Sequence, residues 1–155
     1  MVIKIISGGQ TGVDQAALDT AINLDIPHGG WIPKGRKTEA RILPDKYRLQ
    51  EMPTASYPKR TAQNILDSDG TLIFSHGRLT GGSALTRDLC IKHARPWLHL
   101  DFTITNNLDA SDNISSWIIE NSIKVLNVAG ARASKDPEIY ALTITVLKTA
   151  LGIQE

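Results

Sequence analysis

The segment IISGGQTGVDQAALDTAI, from Ile5 to Ile22, joins an apolar run to a helical pattern through a turn that contains three glycines. Residues with strand propensity precede the turn, and Val13, Ala17 and Ala21 then recur at the spacing of one helix face. A strand, a glycine-rich turn and an amphipathic helix in this order are typical of the start of a βαβ unit, in which the strands lie parallel. We therefore expect a parallel sheet.

Short β-rich runs alternate with helical patterns along the rest of the chain. The runs cover residues 2–6, 71–75, 96–100 and 124–130, and the helical patterns cover residues 13–24, 58–67, 83–94, 106–122 and 137–151. This alternation predicts an α/β fold, a three-layer α/β/α Rossmann-like domain with a mostly parallel central sheet. We expect one such domain over residues 1–155, and a functional loop in the irregular segment 29–52.

Composition argues against several classes of partner. The 17 basic and 16 acidic residues are interspersed and leave a net charge of +1, so nothing in the sequence suggests the broad basic face that a nucleic acid requires, and we expect no nucleic-acid partner. Its apolar runs are shorter than the roughly 20 residues that cross a bilayer, so we expect no membrane partner. Cys90 is the single cysteine, which excludes an internal disulfide, and the sequence opens on VIKII instead of a leader peptide. We expect a cytoplasmic protein.

Three glycine-bearing turns follow three of the predicted strands: SGGQTG (7–12), SHGRLTGGS (75–83) and AGARASKDP (129–137). At the carboxyl edge of a parallel sheet such turns converge on one crevice, where helix N-termini present free N–H groups and a partial positive charge. The turns therefore predict a site for a phosphorylated small molecule. The first turn is a degenerate dinucleotide fingerprint, because Ser7 replaces its first glycine. NAD binding would also require an acidic residue at the right distance after an obvious second strand, and none follows.

The first turn contains several candidate ligand contacts. Gly8 and Gly9 let backbone approach a ligand closely, and Thr11 offers a hydroxyl group. Asp14 lies in the first turn of the helix, where a carboxylate favours the helix dipole. It either caps the helix or contacts a ribose hydroxyl or a pterin N–H group.

Basic side chains near the turns would supply counter-charge to an anion. Lys34, Arg36 and Lys37 lie in the segment WIPKGRK, and Arg78 and Arg132 lie in the second and third turns. The alternative for each is a solvated surface position.

The sequence leaves the roles of two ring side chains open and predicts no metal site. Trp31 either stacks on a ligand ring or packs, and His76 either faces the ligand or is an ordinary loop residue. The four histidines and the single cysteine show no metal-ligand spacing, so we predict no metal site. The sequence also lacks the nucleophile motif Gly-x-Ser-x-Gly, which gives a nucleophilic hydrolase no support.

The helical pattern over residues 137–151 is apolar on more than one face, and it includes Tyr140, Ile144 and Leu147. A wide apolar surface requires two partners, so this helix either packs deeply in its own domain or forms a subunit interface. We expect a homo-oligomer, a dimer or a tetramer.

Five ordered motifs together resemble the molybdenum carrier family over nearly the whole chain. They are SGGQTGVDQAALDTAI, GGWIPKGRKTE, YPKRTAQNILDSDGTLIF, TGGSALTRD and NVAGARASKDPEIY. One departure is Ile32, where members of that family often carry cysteine. The family is similar in fold to the Rossmann-like cytokinin-activating phosphoribohydrolases, formerly called lysine decarboxylases.

The resemblance implies a non-catalytic carrier that binds the molybdenum cofactor, a pterin with a terminal phosphate, and that forms oligomers. The binding residues that it implies, together with Asp14, are Gly8, Gly9, Thr11, Gly12, Lys34, Arg36, Gly81, Gly82, Ser83, Gly130 and Ser134. Two alternatives stay open: a nucleotide-sensing module and a nucleoside 5′-monophosphate phosphoribohydrolase. In the hydrolase Asp88 would replace a catalytic glutamate, and the displaced carboxylate argues against that activity.

Overall fold

The structure is a computed structural model that describes residues 1–152. The elements are, in chain order, β1 (Lys4–Ser7), α1 (Val13–Asn23), β2 (His28–Gly29), β3 (Trp31–Ile32), β4 (Gln50–Glu51), α2 (Tyr57–Leu66), β5 (Gly70–Ser75), α3 (Gly81–Lys92), β6 (Trp97–Asp101), α4 (Asn107–Glu120), β7 (Val125–Gly130) and α5 (Ile139–Gly152). The four predicted strands and five predicted helices are confirmed, with ends that differ by one or two residues.

Five parallel strands form the main sheet in the order β2, β1, β7, β5, β6. The last strand in the chain, β7, lies between the other two long central strands, with Leu126 opposite Ile5 of β1 and Val128 opposite Leu72 of β5. All six residues of β5 are buried, which is typical of a parallel strand covered on both faces. The predicted Rossmann-like fold is confirmed, and all the strands of this sheet are parallel.

Helices cover both faces of the sheet. Helices α1 and α4 pack against α5 on one face, and α2 and α3 pack together on the other. The main core lies between the sheet and the layer formed by α1, α4 and α5. There Phe74, Leu126 and Val128 of the sheet meet Ile114 and Leu147 of the helices. None of the helices within residues 1–152 is long and apolar enough to cross a bilayer.

Segment 29–52 is more ordered than the sequence indicates. Strands β3 and β4 pair in parallel within it, and Arg36 organises the chain between them. The Arg36 guanidinium donates hydrogen bonds to the carbonyl oxygens of Leu43, Pro44, Tyr47 and Leu49 at 3.1 to 3.3 Å. A second apolar cluster forms beneath this loop and consists of Leu18, Ile32, Leu43, Tyr47 and Leu49.

Helix α5 packs mainly inside its own fold, between α1 and α4. Leu147 is fully buried, and the Tyr140 hydroxyl donates a hydrogen bond to the Asp19 carboxylate. Of the two interpretations of this helix, deep packing in its own domain fits the structure. Helices of the same chain cover Leu147, so Tyr140, Ile144 and Leu147 do not together form an exposed apolar patch. The homo-oligomer stays a prediction that needs another surface.

Candidate anion-binding cleft

A cleft of about 920 Å³ opens at the carboxyl edge of the sheet. The turns after β1, β5 and β7 form its floor and one wall, and α2 forms another wall. Of the residues predicted to bind a ligand, Gly8, Asp14, Gly82, Ser83 and Gly130 line this cleft. The three glycine turns thus converge as parallel-sheet geometry requires.

The second turn leaves the N-terminus of α3 open to the cleft. The side chain of Thr80, which precedes the helix, caps none of its N–H groups among the described residues. The Ser83 N–H donates to the Thr80 carbonyl oxygen at 3.1 Å, so the N–H groups of Gly81 and Gly82 are the ones that remain for a ligand. A Cβ atom added at Gly77 or Gly82 would meet no heavy atom of residues 1–152 within 4 Å. Arg78 and Lys135 also line the cleft, and Lys135 Nζ lies 3.9 Å from the place that a Cβ atom on Gly81 would occupy. Uncapped N–H groups, free space and two cations are what an anion requires.

The first turn has most of its N–H groups occupied. The Gln10 N–H donates to Asp14 Oδ2 at 3.1 Å, and the Thr11 N–H donates to Gln10 Oε1 at 3.0 Å. The Val13 N–H, at the start of α1, donates to the Ala131 carbonyl oxygen at 3.2 Å. This end of α1 therefore offers fewer donors to a ligand than the end of α3 does.

Two glycines of the first turn serve close packing. Gly12 has φ +80, and a Cβ atom there would lie 2.4 Å from the Ala131 carbonyl oxygen. Gly9 has φ +78, and its Cβ atom would lie 3.0 Å from Leu49 Cδ2 of the second apolar cluster. Neither glycine is among the residues that line the cleft. Their contact with a ligand stays a prediction.

Thr11 and Ser134 contact the carboxylate of Glu39 at the edge of the cleft. Glu39 accepts hydrogen bonds from the Thr11 hydroxyl, from the Ser134 hydroxyl at 2.5 Å and from the Ser134 N–H at 3.0 Å. Arg132 Nε lies 3.9 Å from Glu39 Oε1. Desolvation raises the pKa of Glu39, but the bonds from Ser134 and Thr11 outweigh it and hold the pKa below its ordinary value.

Asp14 and Arg60 form the floor of the cleft beside Gly8. Asp14 is 8% exposed, and its desolvation raises its pKa to about 6, against the opposing effects of Arg60 and the Gln10 N–H. Arg60 Nη1 donates to the Gly8 carbonyl oxygen at 2.6 Å. A Cβ atom on Gly8 would lie 2.4 Å from that nitrogen, so any larger residue at position 8 would displace the guanidinium from this place. Desolvation lowers the pKa of Arg60.

The wall formed by α2 is absent from the predicted site. Tyr57, Arg60, Thr61 and Asn64 all line the cleft. These four residues follow one another at intervals of three, one and three positions, which places them on one face of a helix. This polar face, within the motif YPKRTAQNIL, is the sequence feature from which the wall could have been predicted.

His76 joins the second and third turns. Its Nδ1 lies 2.5 Å from Asp136 Oδ2, and both residues line the cleft. Trp31 does not line the cleft, and its indole N–H donates to Asp67 Oδ2 at 2.7 Å. Exposed Lys34 and loop-bound Arg36 also lie outside the lining residues. Of these four side chains, the cleft therefore contains His76.

The candidate catalytic carboxylate lies outside the cleft. Asp88 has a 62% exposed side chain and pairs with its neighbour Arg87 at 3.0 Å. Within residues 1–152 no group of three or more His, Cys, Asp or Glu side chains is placed to hold a metal ion. Ile32, at the position where the resembled family often has cysteine, is 1% exposed in the second apolar cluster.

Comparison with known proteins agrees with this architecture. The profile of the circularly permutated YpsA (cpYpsA) SLOG family matches residues 5–151. The chain belongs to that family. This SLOG domain is also similar to a crystal structure from Syntrophus aciditrophicus SB, named "Putative molybdenum carrier protein". The two chains are 55% identical with a TM-score of 0.95, and the match covers 97% of this chain and 95% of the other. No functionally curated protein matches the chain.

Proposed function

We propose that this chain is a non-catalytic carrier whose cleft binds a small molecule through a phosphate group at the N-terminus of α3. The open N-terminus of that helix is the observation that carries the proposal. Gly82 leaves free space there, and Arg78 and Lys135 supply positive charge beside it. A phosphate at such a position is stabilised by backbone N–H donors, the helix dipole and charge-assisted hydrogen bonds.

The floor of the cleft favours a polar ring at the other end of the ligand. The Asp14 carboxylate lies beside the Arg60 guanidinium, so acceptor and donor groups are available together. The N–H groups at the edge of a pterin would donate to Asp14, and its carbonyl and ring nitrogen atoms would accept from Arg60. The molybdenum cofactor combines such a ring with a terminal phosphate, and the cleft of about 920 Å³ has room for it.

The name of the Syntrophus relative supports the same ligand. The pterin dithiolene of the cofactor binds the metal itself, and the residues assigned here would hold the organic part. We place this role in one cytoplasmic ligand-binding domain that assembles as a homo-oligomer.

The phosphoribohydrolase alternative has less support than the carrier. Asp88 lies outside the cleft lining and pairs with Arg87. A general base has to come within hydrogen-bond reach of the reacting atoms, so Asp88 is poorly placed for that role. The nucleotide-sensing alternative uses the same phosphate position and differs only in the ring that Asp14 and Arg60 recognise.

A single substitution at Gly82 tests the phosphate position. Gly82→Asp places a carboxylate in the open space at the start of α3 and should remove most of the rise in Tm that molybdopterin and adenosine 5′-monophosphate produce by binding the native state. Asn113→Asp, at an exposed position of α4 in the opposite layer, adds the same charge and should keep the full shift. Ligand shifts of wild-type size in Gly82→Asp would refute the site.

The relative sizes of the Tm shifts distinguish between the candidate ligands. Molybdopterin should raise the Tm more than adenosine 5′-monophosphate at equal concentration, because its ring uses both Asp14 and Arg60. A shift with the nucleotide alone would favour the sensor, and steady release of adenine would establish a hydrolase.

A further inference from the structure

Glu39 reaches the edge of the cleft from a tip in segment 29–52. Lys37 and Ile42 form an antiparallel bridge at the base of the tip, and the Thr38 hydroxyl donates to the Arg41 carbonyl oxygen at 2.6 Å. The Glu39 N–H donates to Gln10 Oε1 at 2.9 Å, and Gln10 lines the cleft. The tip therefore has a defined conformation that directs Glu39 toward the first turn.

The groups around the Glu39 carboxylate are those that usually bind a phosphate or a free carboxylate. They are a backbone N–H and a hydroxyl from Ser134, a hydroxyl from Thr11 and the Arg132 guanidinium. Thr11 is 28 residues from Glu39 in the sequence, and Ser134 is 95 residues away. Two separate glycine turns thus form an anion-binding arrangement, and the anion that occupies it is the carboxylate of Glu39.

We propose that Glu39 is a specificity-determining residue whose carboxylate occupies a second anion-binding position, formed by Thr11, Arg132 and Ser134, and so closes it to ligand phosphates. The inference rests on the proposed function, because it leaves the N-terminus of α3 as the position for phosphate. Ligands with a single phosphate group fit that arrangement. A dinucleotide would place a further phosphate near the first turn, where the same donors are taken and a negative charge repels it.

The number of phosphate ions bound per chain tests this inference. Glu39→Ala removes the carboxylate and leaves Thr11, Arg132 and Ser134 without their anion. Titration with inorganic phosphate, followed by calorimetry and by ³¹P NMR, should give one site in the wild type and two in Glu39→Ala. Glu39→Gln keeps the space filled and keeps an oxygen that accepts hydrogen bonds, so it should give one site. Asp45→Asn, an exposed change in the same segment, should also give one.

The double variant Gly82→Asp/Glu39→Ala separates the inference from the proposed function. Gly82→Asp alone should bind no phosphate, and the double variant should bind one. Two sites in Gly82→Asp/Glu39→Ala would refute the α3 position and leave the Glu39 position standing. A folded Glu39→Ala protein with one site, of wild-type affinity, would overturn the inference.

A second measurement tests the inference even if Glu39→Ala makes the protein less stable. An anion that binds only the native state raises the midpoint of urea unfolding. Phosphate should therefore raise that midpoint in Gly82→Asp/Glu39→Ala beyond the response of Gly82→Asp, which binds no phosphate and reports only the effect of added salt. Equal responses would count against a second position.

Discussion

Asp14→Asn should make the ligand-free protein more stable at neutral pH. Desolvation raises the pKa of Asp14 from an ordinary 3.8 to about 6, although Arg60 and the Gln10 N–H oppose the rise. The native state therefore binds the Asp14 proton more tightly than the unfolded state does. The stability that this proton contributes is complete below pH 3.8 and is lost as the pH rises through about 6.

The magnitude follows from the two pKa values. Their difference corresponds to about 3 kcal/mol of unfolding free energy at pH 7.5, of which about 1 kcal/mol is already lost at pH 4.5. Asparagine has nearly the same volume, keeps an oxygen for the Gln10 N–H and carries no charge. Asp14→Asn should therefore exceed the wild type in stability by about 3 kcal/mol at pH 7.5 and by about 1 kcal/mol at pH 4.5.

Urea unfolding of both proteins at the two pH values, at constant ionic strength, measures this difference. The quantity of interest is the gap between the proteins, because other carboxylates titrate equally in both. A gap that is the same at pH 4.5 and pH 7.5 would refute the titration of Asp14 in this range. A variant that is less stable than the wild type at pH 7.5 would show that pairing with Arg60 outweighs desolvation.

Two further substitutions test local features of the packing. Gly12→Ala should lower the unfolding free energy by at least about 2 kcal/mol, because φ is +80 and the new Cβ atom would lie 2.4 Å from the Ala131 carbonyl oxygen; Gly82→Ala, in open space, should change it by less than about 0.5 kcal/mol in the same urea assay. Thr143→Val should raise the Tm and increase the unfolding free energy by about 1 kcal/mol, because the buried Thr143 hydroxyl has no hydrogen-bond partner within residues 1–152. Thr145→Val, which loses an exposed bond to the Ala141 carbonyl oxygen, should give no such gain.

Much of the fold could be predicted because its signals are local. The period of apolar residues identified five helices and four strands, and Pro58 and Asn106 marked helix starts that the structure places at Tyr57 and Asn107. The strands β2, β3 and β4 were missed, since each has two residues and too short a run to show a period. Their pairing depends on partners elsewhere in the chain.

The site was predicted in outline because glycine turns after parallel strands converge on one edge of the sheet. Gly82 and Ser83 line the cleft, but the sequence could not distinguish them from Gly9 and Gly12, which lie outside its lining. All four belong to similar motifs. The difference arises from Leu49 and Ala131, which approach Gly9 and Gly12 from distant parts of the chain.

The amino-acid sequence alone was sufficient for the α/β class, the family resemblance and the three turns, since periodicity and backbone preferences act over a few residues. Tertiary contacts determine which turn is open to an anion. Glu39 occupies donors of Thr11 and Ser134 across 28 and 95 residues, and burial beside Arg60 sets the pKa of Asp14. Hydrogen-bond partners and desolvation depend on where the whole chain folds, so no local pattern encodes them.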